Sequence, residues 1–134
     1  MATALVGDDE DLGRRVRLHR ERRPAGWGTM EIGDLGDVLK AAEQWDAVLF
    51  DSLTLWVSGR DDDRAIPEFK GFLTNARDLP VPFVLVSDEV GFGVVPGSEA
   101  GRRFRDTLGL VNQQAAAAAE EVHLCVAGVA VRIK

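Results

Sequence analysis

The chain is short of cysteine, of long hydrophobic runs and of positive charge. The one cysteine among 134 residues, Cys125, excludes an intrachain disulfide, so nothing requires an oxidising compartment. No apolar run approaches the roughly 18 residues of a membrane span, and Asp8, Asp9 and Glu10 precede any signal-peptide hydrophobic region. The net charge of −6 argues against nucleic acid as the main partner, because phosphate backbones require a concentrated basic face. We predict a cytoplasmic protein with no membrane span and no nucleic-acid partner.

What the chain does contain is a strand-and-helix pattern. The apolar run 83–86 is typical of a strand buried on both faces, and it breaks abruptly into the polar residues 87–89. A glycine-rich turn follows, and Ser98 is placed to cap a long helix whose apolar residues recur at offsets of three and four. The run 47–50 predicts a second buried strand, ended by Asp51. In parallel sheets such polar strand ends hold the ligand.

Shorter signals complete the predicted order of elements. Residues 35–42 predict an amphipathic helix, 59–64 a solvated acidic loop, 68–78 a modest helix, and 122–133 two strands divided at Gly128. Cys125 is interpreted as a small core residue, and Trp27, Trp45 and Trp56 as core or interface residues. With 46% hydrophobic residues, residues 1–134 predict one α/β domain with a mostly parallel sheet flanked by helices.

Several motifs carry a family resemblance. They are DAVLFDSLTLWVS at 46–58, VLVSDEVGFGVVP at 84–96, GRRFRDTLGLVNQQAAAAAEEVHLCVAG at 101–128, and RVRLHRERRPAGW at 15–27. Through them the chain resembles the bifunctional adenosylcobinamide kinase / adenosylcobinamide-phosphate guanylyltransferases of cobalamin (vitamin B12) biosynthesis. The resemblance implies a P-loop NTPase (RecA-like) fold. It also implies phosphorylation of adenosylcobinamide by ATP or GTP, and then transfer of GMP from GTP to adenosylcobinamide phosphate.

By resemblance, His19 is the residue that carries GMP as a covalent intermediate. An imidazole nitrogen is a competent nucleophile toward an α-phosphate and a good leaving group afterwards. Arg20 and Arg23 are expected to hold nucleotide phosphates. Spacing alone would instead favour an ordinary helix-face histidine. His123 does not match the family's catalytic histidine and is expected to be a strand residue with no role.

Two acidic residues stand at predicted strand ends. Asp51 resembles the residue that holds Mg²⁺ in P-loop proteins, although a helix-capping aspartate explains its position equally well. Glu89 follows the next strand and is expected to serve the nucleotide, through the metal or ribose, or the substrate hydroxyl; simple solvent exposure is the alternative.

The long helix carries a polar stripe that includes Arg102, Arg105 and Asn112. The resemblance suggests that these residues contact substrate or a neighbouring subunit, while a solvated helix face is the alternative. The family further suggests a homo-oligomer, specifically a trimer.

One departure from the family pattern changes the expected activity. The family's first strand, its phosphate loop ending Gly-Lys-Ser and the helix after it have no counterpart here, and none of the three lysines follows a glycine. We therefore expect a fold truncated at its N-terminus, with kinase activity lost from this polypeptide alone. Three interpretations follow: a longer true protein that is the bifunctional enzyme, a gap filled by another chain, or a non-catalytic homologue that acts as a binding or assembly subunit.

Overall fold

A computed structural model describes residues 34–134, residues 26–30, and the single residues Arg14, Leu18 and Glu21. The elements in chain order are α1 (Leu35–Ala42), β1 (Val48–Asp51), α2 (Leu53–Ser58), α3 (Asp62–Arg77), β2 (Phe83–Val86), a 3-10 helix (Val90–Phe92), α4 (Glu99–Ala118), β3 (His123–Val126) and β4 (Val129–Arg132). Helices precede, separate and follow the strands β1 and β2, which confirms the predicted α/β class.

The centre of the fold is the parallel pair formed by β1 and β2. Val48 lies opposite Phe83, and Asp51 lies opposite Val86. Because side chains alternate along a strand, β1 points Val48 and Phe50 to one face, where both are buried. The opposite face of the pair is more open, and Val84 on it is 55% exposed.

The core lies between this buried face and the helices. Its aromatic centre is Phe50, Phe69 and Phe72, whose neighbouring ring centroids lie 5.9 Å apart, with Trp56 packed 5.8 Å from Phe69. Leu108 and Val111 of α4 are completely buried against the same cluster. Rings at these separations and angles contribute to stability beyond the area they bury.

Serine side chains begin two of the helices. The Ser98 hydroxyl accepts from the backbone N–H of Gly101 at 3.1 Å, which confirms Ser98 as the cap of α4. The Ser52 hydroxyl accepts from the N–H of Leu55 at 3.3 Å and caps α2. Ser52, not Asp51, therefore makes the cap after β1, and the carboxylate of Asp51 is not required for it.

Helix α3 is longer than the sequence predicted. The predicted loop over 59–64 and helix over 68–78 are wrong at their boundary, because the helix already begins at Asp62 and contains Pro67. A proline inside a helix removes one backbone hydrogen bond. Ala65 and Phe69, on either side of Pro67, are both completely buried, so the burial of this face offsets the lost bond.

The last two strands form a hairpin of their own. β3 and β4 pair antiparallel, and the turn between them uses positive φ at Ala127 and Gly128. The predicted strands and their division at Gly128 are confirmed, whereas the mostly parallel arrangement holds only for β1 and β2. The prediction of a core Cys125 is wrong: it is exposed, on a hairpin whose strand residues are all exposed except the half-buried Leu124.

The three tryptophans have different environments. Trp56 is buried, as predicted, while Trp27 and Trp45 are 49% and 40% exposed. Trp27 and Trp45 line a cavity of about 430 Å³ over the open face of β1 and β2. A side chain on Gly28 would overlap the Trp45 indole, so only glycine allows this close approach.

The described helices do not indicate a membrane span. Within the described residues, no helix combines the length and the apolar character that a membrane crossing requires.

Candidate functional site at the carboxyl edge of the parallel strands

The candidate site lies where β1 and β2 end. Asp51 is the last residue of β1, and its register partner Val86 is the last residue of β2. Ser52 follows the first strand and Ser87 the second. Because the two strands are parallel, both polar ends lie at one edge of the sheet, as predicted.

A hydrogen-bonded network joins three elements at this edge. The Asn112 side chain, in the middle of α4, accepts from the Ser87 hydroxyl at 2.6 Å and donates to the Asp88 carbonyl oxygen at 3.1 Å. The Asp88 N–H in turn donates to the Thr54 hydroxyl of α2 at 2.9 Å. The end of β2 is thereby held between the first turn of α2 and the middle of α4.

Thr54 belongs to this edge, although the sequence interpretation did not select it. The sequence does contain a signal for it, because a residue with a hydroxyl group lies in the first turn of the helix that directly follows Asp51. Because a β-branched threonine in an apolar helix has ordinary packing roles, this signal alone does not separate a site residue from a structural one.

Glu89 is exposed and turns back onto its own loop. Its carboxylate accepts from the Gly91 N–H at 2.8 Å and caps the 3-10 helix. A Cβ on Gly91 would lie 2.6 Å from the Glu89 Oε1, so a larger residue there would displace the Glu89 carboxylate from this position. The predicted role of Glu89 toward nucleotide or substrate stays a prediction, and its location at the carboxyl edge is compatible with it.

Arg102 and Arg105 do not extend into the network. One guanidinium nitrogen of Arg102, Nη1, donates to the carbonyl oxygens of Pro96 and Gly97 at 3.1 and 2.9 Å. Arg105 donates through Nε and Nη2 to Asp106 Oδ1 at 3.0 and 2.8 Å. Arg102 thus fixes the loop before α4, and a contact of either arginine with substrate or subunit stays a prediction.

The predicted phosphate-handling residues His19, Arg20 and Arg23 lie outside the described residues. Of the predicted site, the structure brings Asp51, Glu89 and Asn112 to one edge of the sheet.

A magnesium ion fits the donor chemistry of this edge. Among the residues that the structure describes, His, Cys, Asp and Glu side chains form no group of three or more that could hold a metal. Mg²⁺, however, is usually bound through one or two carboxylates together with substrate phosphates and water. Asp51 places one carboxylate at this strand end, and it would be the ligand for such an ion.

Asn112 provides a test of the network. Asn112→Ala removes both bonds of its side chain and is expected to lower the free energy of unfolding by about 1–2 kcal/mol. Asn112→Asp keeps the acceptor for Ser87 and loses the donor to Asp88, so an intermediate loss is expected. Denaturant titration measures both, with the exposed Gln113→Ala on the same helix as control. Alanine is the best helix former, so neither substitution should cost stability through helix propensity. If Gln113→Ala costs as much as Asn112→Ala, the loss does not come from the network.

Fold and site together define a class. This is an α/β protein whose candidate ligand site lies beyond the carboxyl ends of a parallel strand pair.

The particular family follows from comparison with known proteins. A family model described as cobinamide kinase / cobinamide phosphate guanyltransferase matches residues 1–133. The chain belongs to this family.

Named relatives agree with the family. The chain is 39% identical over 140 residues to the bifunctional adenosylcobalamin biosynthesis protein CobP of Pseudomonas aeruginosa, covering 100% of this chain and 80% of the relative. It is 37% identical to the bifunctional adenosylcobalamin biosynthesis protein CobU of Salmonella typhimurium and 38% identical to that of Escherichia coli strain K12, each over 153 residues. These two matches cover 100% of this chain and 84% of each relative. The relatives link the chain to cobalamin biosynthesis.

Proposed function

We propose that this protein transfers GMP from GTP to adenosylcobinamide phosphate through His19, and that it phosphorylates adenosylcobinamide with ATP or GTP when a Gly-Lys-Ser phosphate loop completes the site. The observation that carries the proposal is the family match, which extends over residues 1–133. The polar carboxyl edge formed by Asp51, Ser87 and Asn112 supports it, because phosphoryl-transfer sites in α/β folds lie beyond such strand ends.

The first reaction is a phosphoryl transfer. The acceptor hydroxyl oxygen bonds to the terminal phosphorus of the nucleotide, the bond from that phosphorus to the bridging oxygen breaks, and the hydroxyl proton is released. Catalysis of this kind consists mainly of positioning and charge stabilisation. Glu89, an exposed carboxylate at the edge, is our candidate for holding the acceptor hydroxyl or the nucleotide ribose.

The second reaction proceeds in two displacements. A ring nitrogen of neutral His19 bonds to the α-phosphorus of GTP, and pyrophosphate leaves. A phosphate oxygen of adenosylcobinamide phosphate then bonds to the same phosphorus, and the bond from phosphorus to histidine breaks. Arg20 and Arg23, near His19 in the sequence, are proposed to bind the phosphate oxygens as charge-assisted hydrogen-bond donors.

Asp51 is the proposed magnesium ligand. When bound, Mg²⁺ neutralises charge on the phosphate oxygens. Asp51 contributes the carboxylate, and the Thr54–Asp88–Asn112 network holds the neighbouring strand end in place. We also propose that the protein is cytoplasmic and a homo-oligomer, with a trimer as the assembly that sedimentation should detect.

Product analysis tests the proposed function. The purified chain is incubated with Mg²⁺, GTP and adenosylcobinamide phosphate, and separately with Mg²⁺, ATP and adenosylcobinamide, and the corrinoid products are identified by mass spectrometry. A guanylylated corrinoid with release of pyrophosphate supports the transferase reaction, and a phosphorylated corrinoid supports the kinase reaction. If neither product forms, both assays are repeated with a longer version that carries a strand, a Gly-Lys-Ser phosphate loop and a helix before Met1. If that version is inactive as well and the chain still binds corrinoid or nucleotide, the function is that of a non-catalytic binding or assembly subunit.

A further inference from the structure

An exposed apolar segment follows the candidate site directly. Phe92 is 79% exposed, Val94 94% and Val95 61%. We refer to residues 92–95 as the apolar loop. Single exposed hydrophobic residues are common, but three within four positions form a patch of the kind that marks a binding surface.

The N-terminal end of the apolar loop is fixed. The Glu89 carboxylate holds the Gly91 N–H, and the Gly93 N–H donates to the Val90 carbonyl oxygen at 3.3 Å. Phe92 therefore projects from a hydrogen-bonded turn and not from a free chain.

The C-terminal end is fixed as well. Arg102 holds the Pro96 and Gly97 carbonyl oxygens, and a Cβ on Gly101 would lie only 2.8 Å from the Pro96 Cβ. Pro96 thus packs closely on the first turn of α4. Because these hydrogen bonds already hold both ends of the loop, a ligand that contacts it does not lose binding free energy to ordering it.

The loop lies beside the reacting edge. Phe92 is only three residues beyond Glu89, and the Asn112 side chain fixes the Ser87 and Asp88 strand end that precedes them. Residues 90–97 include no charged side chain. Such a surface does not suit polyphosphate, which requires cationic or backbone N–H donors, but it does suit an apolar face.

The acceptor in the proposed function has such a face. Corrinoids are broad macrocycles whose two faces carry methyl groups, and the reacting hydroxyl or phosphate is borne on a side arm. When that arm reaches the carboxyl edge, the macrocycle has to lie outside it, against the adjoining protein surface. We propose that the apolar loop is the contact surface for the corrin ring of the acceptor. This inference rests on the proposed function.

Direct binding tests the inference without requiring turnover. The double variant Phe92→Ala, Val94→Ala removes exposed side chains, so its thermal unfolding should match that of the wild type. Equilibrium dialysis of adenosylcobinamide in the dark, followed by its visible absorbance, should show a Kd raised about tenfold or more, which corresponds to about 1.4 kcal/mol. The matched control is Val129→Ala, Val131→Ala, which truncates two exposed valines of the hairpin and should leave Kd unchanged.

Each other outcome overturns the inference. If the wild-type protein binds no adenosylcobinamide, the loop has no corrin ring to contact. If the loop variant binds as well as the hairpin variant, the corrin ring lies elsewhere. A loop variant that changes the sedimentation coefficient and not Kd shows a contact with a second copy of the chain instead.

Failure of the inference is distinguishable from failure of the proposed function. Covalent labelling by GTP requires no corrinoid, so a chain that is labelled but whose loop variant binds corrinoid normally retains its function and loses only this contact.

Discussion

Replacing His19 by alanine is expected to abolish covalent labelling of the protein by GTP that carries ³²P at the α-phosphorus. The imidazole nitrogen is the proposed nucleophile, and alanine offers no atom to form the bond. The label should be stable to alkali and lost in acid, as a phosphorus–nitrogen bond to histidine requires. Quantified gel autoradiography after an alkaline quench measures the loss.

The second histidine supplies the matched control. His123 is exposed on β3, and its Nε2 lies 3.9 Å from the Glu121 Oε2. Because it has no proposed role, His123→Ala should keep full labelling. A further experiment uses a longer version of the protein, in which a strand, a Gly-Lys-Ser phosphate loop and a helix precede Met1. The proposal is supported if the wild type and the longer version are both labelled and their His19→Ala forms are not. If only the longer version is labelled, the phosphate loop is required for the reaction. Label that persists in His19→Ala assigns the nucleophile to another residue.

The second large effect is expected at Asp51. Asp51→Asn preserves the shape of the side chain and removes its negative charge, so the strand end should keep its geometry while the proposed magnesium ligand is lost. Removing one preorganised electrostatic group from such a site typically lowers turnover by ~10²–10³-fold. Product formation measured against Mg²⁺ concentration should show this loss together with a higher requirement for magnesium.

Asp88→Asn is the control for this substitution. Asp88 follows the neighbouring strand, is exposed, and joins the network through its backbone N–H and carbonyl oxygen. Its side-chain charge is therefore expected to matter little. Equal losses in the two variants would indicate a general effect of negative charge at this edge, and full activity of Asp51→Asn would remove Asp51 from the reaction.

Much of the fold could be predicted from the sequence because its signals are local. The apolar run 83–86 gave a strand with those bounds, and Ser98 begins α4 because a serine hydroxyl satisfies a free N–H within three residues of itself. The placement of Asp51 at a strand end is equally local, since it directly ends an apolar run. Family membership was also visible in the sequence, through motifs at 46–58, 84–96 and 101–128.

Other features depended on tertiary packing. The sequence predicted that this helix begins at Glu68. In the structure α3 begins before Pro67, at Asp62, because Ala65 and Phe69 are buried against the core. Cys125 has an apolar sequence environment and is nevertheless exposed, because the hairpin leaves that position open to solvent.

By itself, the sequence determined the family, the order of strands and helices, and which polar residues end the strands. Only the tertiary structure decided which of these residues meet. Thr54 lies 34 positions from Asp88, and Asn112 lies 24 positions beyond Asp88, yet hydrogen bonds join all three. The physical reason is that capping and periodicity act within a few residues, whereas hydrogen bonds between elements depend on how the helices pack against the sheet.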